Sequence, residues 1–283
     1  MGHAVATVTD STAYLPVALA ERHDVQVVPL QLTIGGVVRE EGVDVTAEEA
    51  AQALREWNPV TTSRPSPERF AHVYEAAAQA GATGVVSVHL SGAMSGTVEA
   101  ARLAAEDSPV PVRVVDTATI GMGLGFAALT AAAVALRGGS LDEAAAAAMA
   151  RADRSRSLFY VATLEHLRRG GRIGAAATLL GSALMVKPLL AIADGHITPL
   201  EKVRTASRAV ARMEELAVET AGDRRVDLAV QHLSAAAKAE ALAARLRDRI
   251  PGVVDVFVGE VGPVIGAHVG PGMLGVVVAP QVD

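Results

Sequence analysis

The stretch that decides the fold is VVSVHLSGAMSGT, residues 85–97. Its first five residues have the β-branched character of a buried strand, a loop rich in Ser and Gly follows, and a helix is predicted to begin near Thr97. The first turn of a helix carries unpaired N–H donors and the positive end of the helix dipole, and both favour an anion. Ser91 and Ser95 add hydroxyl donors at the same place. The stretch therefore predicts a binding site for a carboxylate or a phosphate.

The composition of the chain limits the classes of protein that it can be. Its 283 residues suffice for one large or two ordinary domains. Hydrophobic residues make up 51% but aromatic residues only 3%, so a large pocket would be lined by aliphatic side chains. The net charge of −6 and the scattered arginines give no basic footprint for nucleic acid, and the densest group, from Arg151 to Arg156, is interpreted as a solvated helix face. The absence of cysteine excludes disulfides, thiol catalysis and zinc–thiolate sites.

The uncharged segment from Thr117 to Leu136 approaches the ~20 residues that a membrane-spanning helix needs. Because it is rich in Gly, Ala and Thr, we interpret it as a buried helix. The first residues of the chain lack the basic region of a signal peptide and lead directly into a strand pattern. We therefore expect a cytoplasmic protein without a membrane span.

Strands alternate with helices over the first half of the chain, which predicts a parallel sheet covered by helices on both faces. Ligands of such sheets bind beyond the carboxyl ends of the strands. The pattern changes near residue 154, and Asp194-Gly195 is a strong hairpin signal, which indicates antiparallel strands among the βα units. We predict an α/β protein of two domains. Residues 1–153 form an N-terminal three-layer α/β/α domain with a parallel sheet, and residues 154–283 form a C-terminal α/β domain with a mixed sheet.

A second group of hydroxyls, Thr61, Thr62 and Ser63, precedes a Pro-containing loop and a predicted helix. We expect Ser66 to cap that helix, with Pro67 at its first position. Capping does not account for the three hydroxyls before it, which form a second candidate anion cradle.

Two further polar side chains lie in the second half of the chain. Arg172 follows two glycines, which let a long side chain reach into a cleft, and His268 lies in a loop of Gly and Pro. Ser95, His268 and either Asp10 or Asp116 could in principle form a hydrolytic triad, but Ser95 is not in a Gly-x-Ser-x-Gly elbow. The eight histidines show no metal-ligand spacing. Hydrogen-bond donors without an activated nucleophile indicate binding rather than catalysis.

Seven motifs occur in the order in which the DegV family has them, and together they span essentially the whole chain. They are Asp10-Ser11-Thr12, Thr62-Ser63-x-Pro65-Ser66, Ser95-Gly96-Thr97, Asp116-Thr117, Gly170-Gly171-Arg172-Ile173, Lys187-Pro188 and Gly266-x-His268-x-Gly270-Pro271-Gly272. The chain resembles this family, which is similar to the fatty-acid-binding subunits of the bacterial fatty acid kinase.

The resemblance implies a lipid-binding protein of phospholipid metabolism rather than an enzyme. Members of the family hold one long-chain fatty acid between an N-terminal α/β domain and a C-terminal mixed-sheet domain, with the acyl chain in an apolar tunnel. A separate ATP-dependent kinase subunit then phosphorylates the bound carboxylate to an acyl phosphate. The implied partners are a long-chain fatty acid and the ATP-binding kinase subunit, with no nucleic acid, no cofactor and at most transient membrane contact.

The resemblance also implies which residues bind the ligand. Thr62 and Ser95 would contact the carboxylate, and Arg172 and His268 would lie close to it as candidates to assist the phosphoryl transfer. The full set of expected ligand-binding residues is Thr62, Ser63, Ser95, Gly96, Thr97, Arg172 and His268. No residue is expected to be catalytic in this chain alone, and no metal site is expected.

The sequence departs from the family's pattern at Gly92, where a second Ser is frequent, at Arg64, where Gln is common, and at Thr117, where Ser is common. These departures change the local hydrogen bonding expected around the acid site. Two alternative functions are a serine hydrolase and an enzyme like dihydroxyacetone kinase, acting on a small carboxylate or carbonyl substrate. The kinase alternative would need a nucleotide site, for which the sequence shows no phosphate loop and no cluster of magnesium-binding carboxylates.

Overall fold

The computed structural model describes residues 4–56, 58–179 and 187–282. The chain forms two compact units. Unit 1 comprises Met1–Gln31 and Ser63–Arg154, and unit 2 comprises Leu32–Thr62 and Ser155–Gln281.

This division corrects the predicted domain of residues 1–153, because the segment 32–62 belongs to unit 2. The physical reason is packing within unit 2. Leu32, Val45 and Ala50 are buried in one cluster with Ala267, which lies far along the chain. A pattern of strands and helices cannot reveal such a contact, since it reports only on neighbouring residues.

The regular elements follow each other along the chain with short connections. The strands are β1 (Val5–Asp10), β2 (Val25–Val28), β3 (Gln31–Ile34), β4 (Val37–Glu40), β5 (Val60–Ser63), β6 (Gly84–His89), β7 (Val112–Asp116), β8 (Arg156–Tyr160), β9 (Lys187–Ala193), β10 (His196–Val203), β11 (Val226–His232), β12 (Val253–Glu260) and β13 (Leu274–Pro280). The α-helices are α1 (Val17–Arg22), α2 (Ala47–Arg55), α3 (Pro67–Gln79), α4 (Thr97–Glu106), α5 (Met122–Leu136), α6 (Leu141–Arg154), α7 (Glu165–Arg169), α8 (Ala206–Ala221), α9 (Ala236–Arg249) and α10 (Pro263–Val269).

Unit 1 contains a parallel sheet with the strand order β2-β1-β6-β7. Successive side chains of a strand point to opposite faces, and β6 shows this directly. Val85 packs with residues of α3 and α4 on one face, whereas Gly84 beside it faces Leu141 of α6 on the other. The predicted three-layer α/β/α arrangement with a parallel sheet is confirmed.

The carboxyl ends of three neighbouring strands lie at one edge of this sheet, as parallel pairing requires. They are Asp10 of β1, His89 of β6 and Asp116 of β7. The connection from β6 to α4, which contains Ser95, begins at this edge.

The helix α5 is buried along most of its length, in agreement with its interpretation as an internal helix. Within residues 4–56, 58–179 and 187–282, no helix combines the length and apolarity needed to span a bilayer. The interpretation of the arginine cluster as a solvated face is wrong for Arg151, which is only 2% exposed. Its guanidinium lies 5.5 Å from the ring centroid of Phe126, a cation–π distance.

Unit 2 contains a six-stranded sheet with the order β10-β9-β8-β13-β11-β12. The β11–β12 pair is parallel and the other pairs are antiparallel, so the predicted mixed sheet is confirmed. Asp194 and Gly195 connect β9 to β10, both with positive φ, as a two-residue hairpin turn of type I′ requires. A separate three-stranded sheet of unit 2 has the order β4-β3-β5.

Candidate functional site

The loop between β6 and α4, residues 90–96, forms a tight turn in unit 1, and we call it the Ser95 loop. The N–H groups of Met94 and Ser95 donate to the carbonyl of Ser91 at 3.0 and 3.1 Å. The hydroxyls of Ser95 and Thr97 are 2.9 Å apart, with Ser95 half-buried and Thr97 fully buried. Gly96 stands at the N-cap and has no side chain to cap α4, so the first-turn N–H groups lack a side-chain acceptor there. The structure thus groups three of the expected ligand-binding residues at one helix start.

The Ser95 loop is held to the neighbouring strand by Asp116. The N–H of Gly92 donates to the two carboxylate oxygens of Asp116 at 3.2 and 3.1 Å, and the N–H of Ala118 donates to one of them at 2.9 Å. Thr117 donates its hydroxyl to the carbonyl of His89 at 2.8 Å. A Cβ at position 92 would lie 2.7 Å from the carboxylate of Asp116. This contact explains why the chain has Gly at that position, since any side chain would displace the carboxylate.

A chain of buried polar side chains lies beneath the same loop. The hydroxyl oxygens of Tyr74 and Ser87 are 2.8 Å apart, and that of Ser87 is 2.7 Å from Nε2 of His89. Nδ1 of His89 is 3.0 Å from a carboxylate oxygen of Asp10. Every group is satisfied if Tyr74 donates to Ser87, Ser87 donates to His89, and His89 donates to the carboxylate. Burial raises the pKa of Tyr74 to about 12, so its hydroxyl keeps its proton. Ser87 and His89 lie two residues apart in an otherwise apolar strand, so they share one face of it. This spacing is the sequence signal from which the hydrogen-bond network could have been predicted.

Arg64 also reaches the Ser95 loop within unit 1. Its Nη1 lies 3.4 Å from the carbonyl of Gly96, and its side chain covers the space that a Cβ of Gly96 would need. Ser63, at the end of β5, is exposed beside it. The three hydroxyl residues that were predicted to form an anion cradle before α3 lie in the short strand β5. They are Thr61, Thr62 and Ser63.

Thr62 and His268 meet in unit 2, although 206 residues separate them in the sequence. Thr62 lies on β5, and its hydroxyl oxygen is 2.9 Å from Nε2 of His268. His268 lies on α10 rather than in the predicted Gly/Pro loop, because Pro263 occupies the first turn of a helix, where its missing N–H is tolerated.

The imidazole of His268 is enclosed by the end of α7. A Cβ on Gly170 would overlap Nδ1 of the ring, so only glycine leaves room for it. Arg172 donates from Nη1 to the carbonyl of Gly170 at 2.7 Å, which holds the guanidinium near the ring. Burial, together with the charge of Arg172, lowers the pKa of His268 to about 4. The imidazole is therefore neutral at physiological pH.

A cavity of about 400 Å³ in unit 2 opens beside this group. Its lining residues are Leu54, Asn58, Pro59, Val60, Thr61, Thr62, His166, Arg169, Gly170, Arg172, Ala267 and His268. His166 and Arg169 were not predicted, although both stand in α7 directly before the two glycines. Burial and the charge of Arg169 lower the pKa of His166, against the opposing effect of Glu165. The guanidinium groups of Arg169 and Arg172 give the cavity the charged donors that suit an oxyanion.

The position of α10 is fixed by two contacts that the sequence did not predict. The buried carboxylate of Glu41 accepts a hydrogen bond from the N–H of Val264 at 2.7 Å, at the start of the helix. At its end, Gly270 has a φ of +73°, and a Cβ there would overlap the ring of His166. Glycine is needed at that position for both reasons.

The hydrogen-bond partners differ from those of a hydrolytic triad. Asp10 binds His89, Asp116 binds backbone N–H groups, Ser95 contacts Thr97, and His268 contacts Thr62. Neither aspartate therefore orients His268, and no described contact activates Ser95 as a nucleophile. Within the described residues, no group of three His, Cys, Asp or Glu side chains could hold a metal ion.

Comparisons with known proteins extend over the whole chain. A family model described as "Uncharacterised protein, DegV family" matches residues 4–281. A DegV domain-containing protein of Streptomyces coelicolor is 58% identical over 279 residues, which cover 99% of each chain.

Solved structures agree with this match. A DegV family protein from Thermus thermophilus, described by its fatty acid binding, has a TM-score of 0.91 and 36% identity, with 98% of this chain and 99% of that chain covered. DegV from Bacillus subtilis, described as a fatty acid binding protein, has a TM-score of 0.90 and 31% identity, with coverage of 99% and 100%. The chain belongs to the DegV family.

Proposed function

We propose that this protein binds one long-chain fatty acid and presents its carboxylate to a separate ATP-dependent kinase subunit, which converts it to an acyl phosphate in the cytoplasm. The observation that carries the proposal is the likeness, over nearly the full length, to two solved structures that are described as fatty-acid-binding. Both exceed 30% identity, so the resemblance extends beyond the fold.

The polar groups of each unit suit a carboxylate. In unit 2 the hydroxyl of Thr62, backed by His268, donates to a carboxylate oxygen, and Arg172 supplies positive charge beside it. In unit 1 the hydroxyl of Ser95, together with Gly96 and Thr97 at the start of α4, supplies further donors. A hydrogen bond to a charged group contributes about 1.5–3 kcal/mol, so two such donors account for firm retention of the acid.

The acyl chain supplies the remaining binding energy, at about 0.8 kcal/mol per buried CH₂ before ordering costs. The aliphatic composition of the chain, 51% hydrophobic with 3% aromatic, supplies the side chains that would line a site for it.

The kinase step transfers the γ-phosphoryl group of ATP to a carboxylate oxygen and releases ADP. Arg172 contributes to that step by offsetting the negative charge of the phosphoryl oxygens, and the neutral His268 contributes by holding Thr62 beside the acceptor. In unit 1, Ser63 is exposed beside Arg64, and its hydroxyl is a further donor that suits an anion.

Organic extraction of the purified protein followed by mass spectrometry tests the binding. We expect about one fatty acid per chain, and delipidated protein should take up added palmitate or oleate. A preparation that contains no fatty acid and takes up neither would overturn the proposal.

The presentation to a kinase needs a second experiment. The loaded protein is incubated with ATP and a purified ATP-binding subunit of a bacterial fatty acid kinase, and the acyl phosphate is trapped with hydroxylamine. We expect acyl hydroxamate only when all three components are present. Hydroxamate formed from ATP and this chain alone would contradict the presenting role, because the chain would then be the kinase itself.

A further inference from the structure

The cavity of unit 2 is electropositive, although the chain as a whole is acidic. The guanidinium groups of Arg169 and Arg172 line it, and its lining among the described residues includes no Asp or Glu. The whole chain has 31 acidic residues against 25 Lys and Arg. A concave surface that collects one sign of charge raises the local concentration of oppositely charged ligands. The cavity therefore attracts anions within a protein of net charge −6.

The helix α7 carries more positive charge than its one carboxylate neutralises. Glu165 accepts two hydrogen bonds from Arg168, at 2.9 and 2.6 Å, and one from Nε of Arg169 at 2.8 Å. These bonds lower the pKa of Glu165 to about 2, so it is ionised at neutral pH. One carboxylate thus serves two guanidinium groups. Of these two, the guanidinium of Arg169 is the one that lines the cavity.

The two arginines of the cavity act at different places in it. Arg169 ends α7, whereas Arg172 follows the two glycines after that helix. Burial and the charge of Arg169 lower the pKa of His166, while burial and the charge of Arg172 lower the pKa of His268. Each imidazole is thus influenced by a different guanidinium. The cavity therefore offers two separate positions for negative charge.

The backbone that carries Arg169 is fixed by reciprocal packing between α7 and α10. The ring of His268, on α10, occupies the space that a Cβ of Gly170 would need. The ring of His166, on α7, occupies the space that a Cβ of Gly270 would need at the end of α10. Each helix end therefore receives a ring from the other helix. A charged group on a fixed backbone loses less conformational freedom when a ligand binds.

The cavity has more charge and more room than a fatty acid carboxylate uses. A carboxylate carries one negative charge, and in the proposed function Arg172 lies beside it. A phosphoryl group carries about −1.5 to −2 at neutral pH and has three strong acceptor oxygens. The cavity volume of about 400 Å³ also exceeds the need of a three-atom carboxylate, since a water molecule takes about 30 Å³ in the liquid. The second guanidinium therefore suits a phosphoryl group.

We propose that Arg169 binds the phosphoryl group during its transfer to the fatty acid and makes the cavity select an acyl phosphate over the free acid. This inference rests on the proposed function for the acyl chain. In the transfer, a carboxylate oxygen forms a bond to the γ-phosphorus of ATP while the bond from that phosphorus to the bridging oxygen of ADP breaks. Arg169 offsets the charge of the phosphoryl oxygens on the acceptor side, before and after transfer.

Two ligands with the same alkyl chain length and different head groups test this role without the kinase. Palmitate carries a carboxylate, and hexadecyl phosphate carries the phosphoryl group of the acyl phosphate on a stable ester. Each competes with a fluorescent fatty acid for delipidated protein at neutral pH. We expect Arg169→Gln to weaken hexadecyl phosphate about tenfold more than palmitate, as the loss of one charge-assisted hydrogen bond implies. Arg169→Lys, which keeps the charge, should recover part of this difference.

Arg168→Gln is the matched control, because Arg168 stands next to Arg169 on α7 but directs two hydrogen bonds to Glu165. It should keep the wild-type ratio of the two affinities. Equal losses of both ligands in Arg169→Gln, or the same change of ratio in Arg168→Gln, overturn the inference. If wild-type protein retains hexadecyl phosphate but no palmitate, the proposed function fails, while the ratio of hexadecyl phosphate affinities between wild type and Arg169→Gln still decides the phosphoryl site.

Discussion

The carboxylate of Asp10 accepts a hydrogen bond from Nδ1 of His89 at 3.0 Å, and neither side chain is exposed to solvent. The same oxygen accepts from the N–H of Leu90 at 3.0 Å, and the other oxygen accepts from the N–H of Thr12 at 3.1 Å and from its hydroxyl. Four donors therefore converge on one buried carboxylate. It joins the carboxyl ends of β1 and β6 directly before the Ser95 loop.

Replacement of Asp10 by Asn should destabilise unit 1. The amide nitrogen would face donors where the carboxylate offers an acceptor, so at least one buried N–H loses its partner, at a cost of about 2–3 kcal/mol. Urea denaturation at neutral pH measures the difference. Asp142→Asn is the matched control, because Asp142 pairs with Arg113 at the surface and should change the unfolding midpoint little. Equal midpoints for the two variants would contradict the role of Asp10.

Replacement of Gly92 by Ser, which restores a residue frequent in the family, should destabilise this protein. A Cβ there would lie 2.7 Å from the carboxylate of Asp116, which must move and loosen its bonds to the backbone. We expect a loss of about 1–3 kcal/mol in the free energy of unfolding. Gly259→Ser is the control, since nothing lies within 4 Å of its Cβ position and that variant should unfold close to wild type.

Local patterns were sufficient to predict the parallel sheet, the mixed sheet and the loop at the carboxyl end of β6, but not the three-stranded sheet β4-β3-β5. The alternation of strands and helices indicates the parallel sheet, and Asp194-Gly195 indicates the hairpin of the mixed sheet. The same reasoning found Ser95 and Thr97, because a polar loop between a buried strand and a helix is readable from adjacent residues.

Contacts between distant parts of the chain could not be predicted in this way. Glu41 holds the start of α10 from 223 residues away, and nothing in its own neighbourhood indicates a buried carboxylate. The glycines before Arg172 were interpreted as flexible, whereas Gly170 is required because the ring of His268 occupies the space beside it. Shape complementarity between elements that are distant in the sequence produces no periodic pattern of residues from which it could be predicted.

Two glycine-to-alanine replacements should differ sharply in effect. The methyl group of Gly170→Ala would overlap the imidazole of His268, which is fixed on α10, so we expect about 1–3 kcal/mol of destabilisation and disruption of the contact with Thr62. The methyl group of Gly96→Ala would meet the flexible end of Arg64, which can move aside at little cost. Thermal or urea unfolding of both variants checks the order, and a larger loss for Gly96→Ala would show it to be wrong.

Ser95→Ala should weaken retention of fatty acid while the fold remains intact. One hydrogen bond to a carboxylate is worth about 1.5–3 kcal/mol, which corresponds to a loss of affinity of roughly tenfold or more. Titration of delipidated protein with a fluorescent fatty acid measures it. Ser108→Ala, just beyond the other end of α4, removes a hydroxyl that bonds only locally, to the carbonyl and the N–H of Val110, and should leave the affinity unchanged. Unchanged lipid affinity in Ser95→Ala would remove Ser95 from the site.

The lowered pKa of His268 should appear in the pH dependence of stability. Burial and Arg172 lower the pKa of the folded protein from 6.5 to about 4, so between these values the unfolded chain binds a proton that the folded chain does not. The contribution of His268 to the free energy of unfolding is therefore fully present above pH 6.5. It decreases as the pH falls, by up to about 1.4 kcal/mol per pH unit for one group. His268→Gln removes this pH dependence. The free energy of unfolding of the variant should therefore increase relative to that of wild type as the pH falls from 6.5 to 4. Urea unfolding over this range measures both proteins, with the exposed His72→Gln as a control that should keep the wild-type slope. Parallel curves for wild type and His268→Gln would mean that His268 takes up its proton in the folded protein as readily as in the unfolded chain.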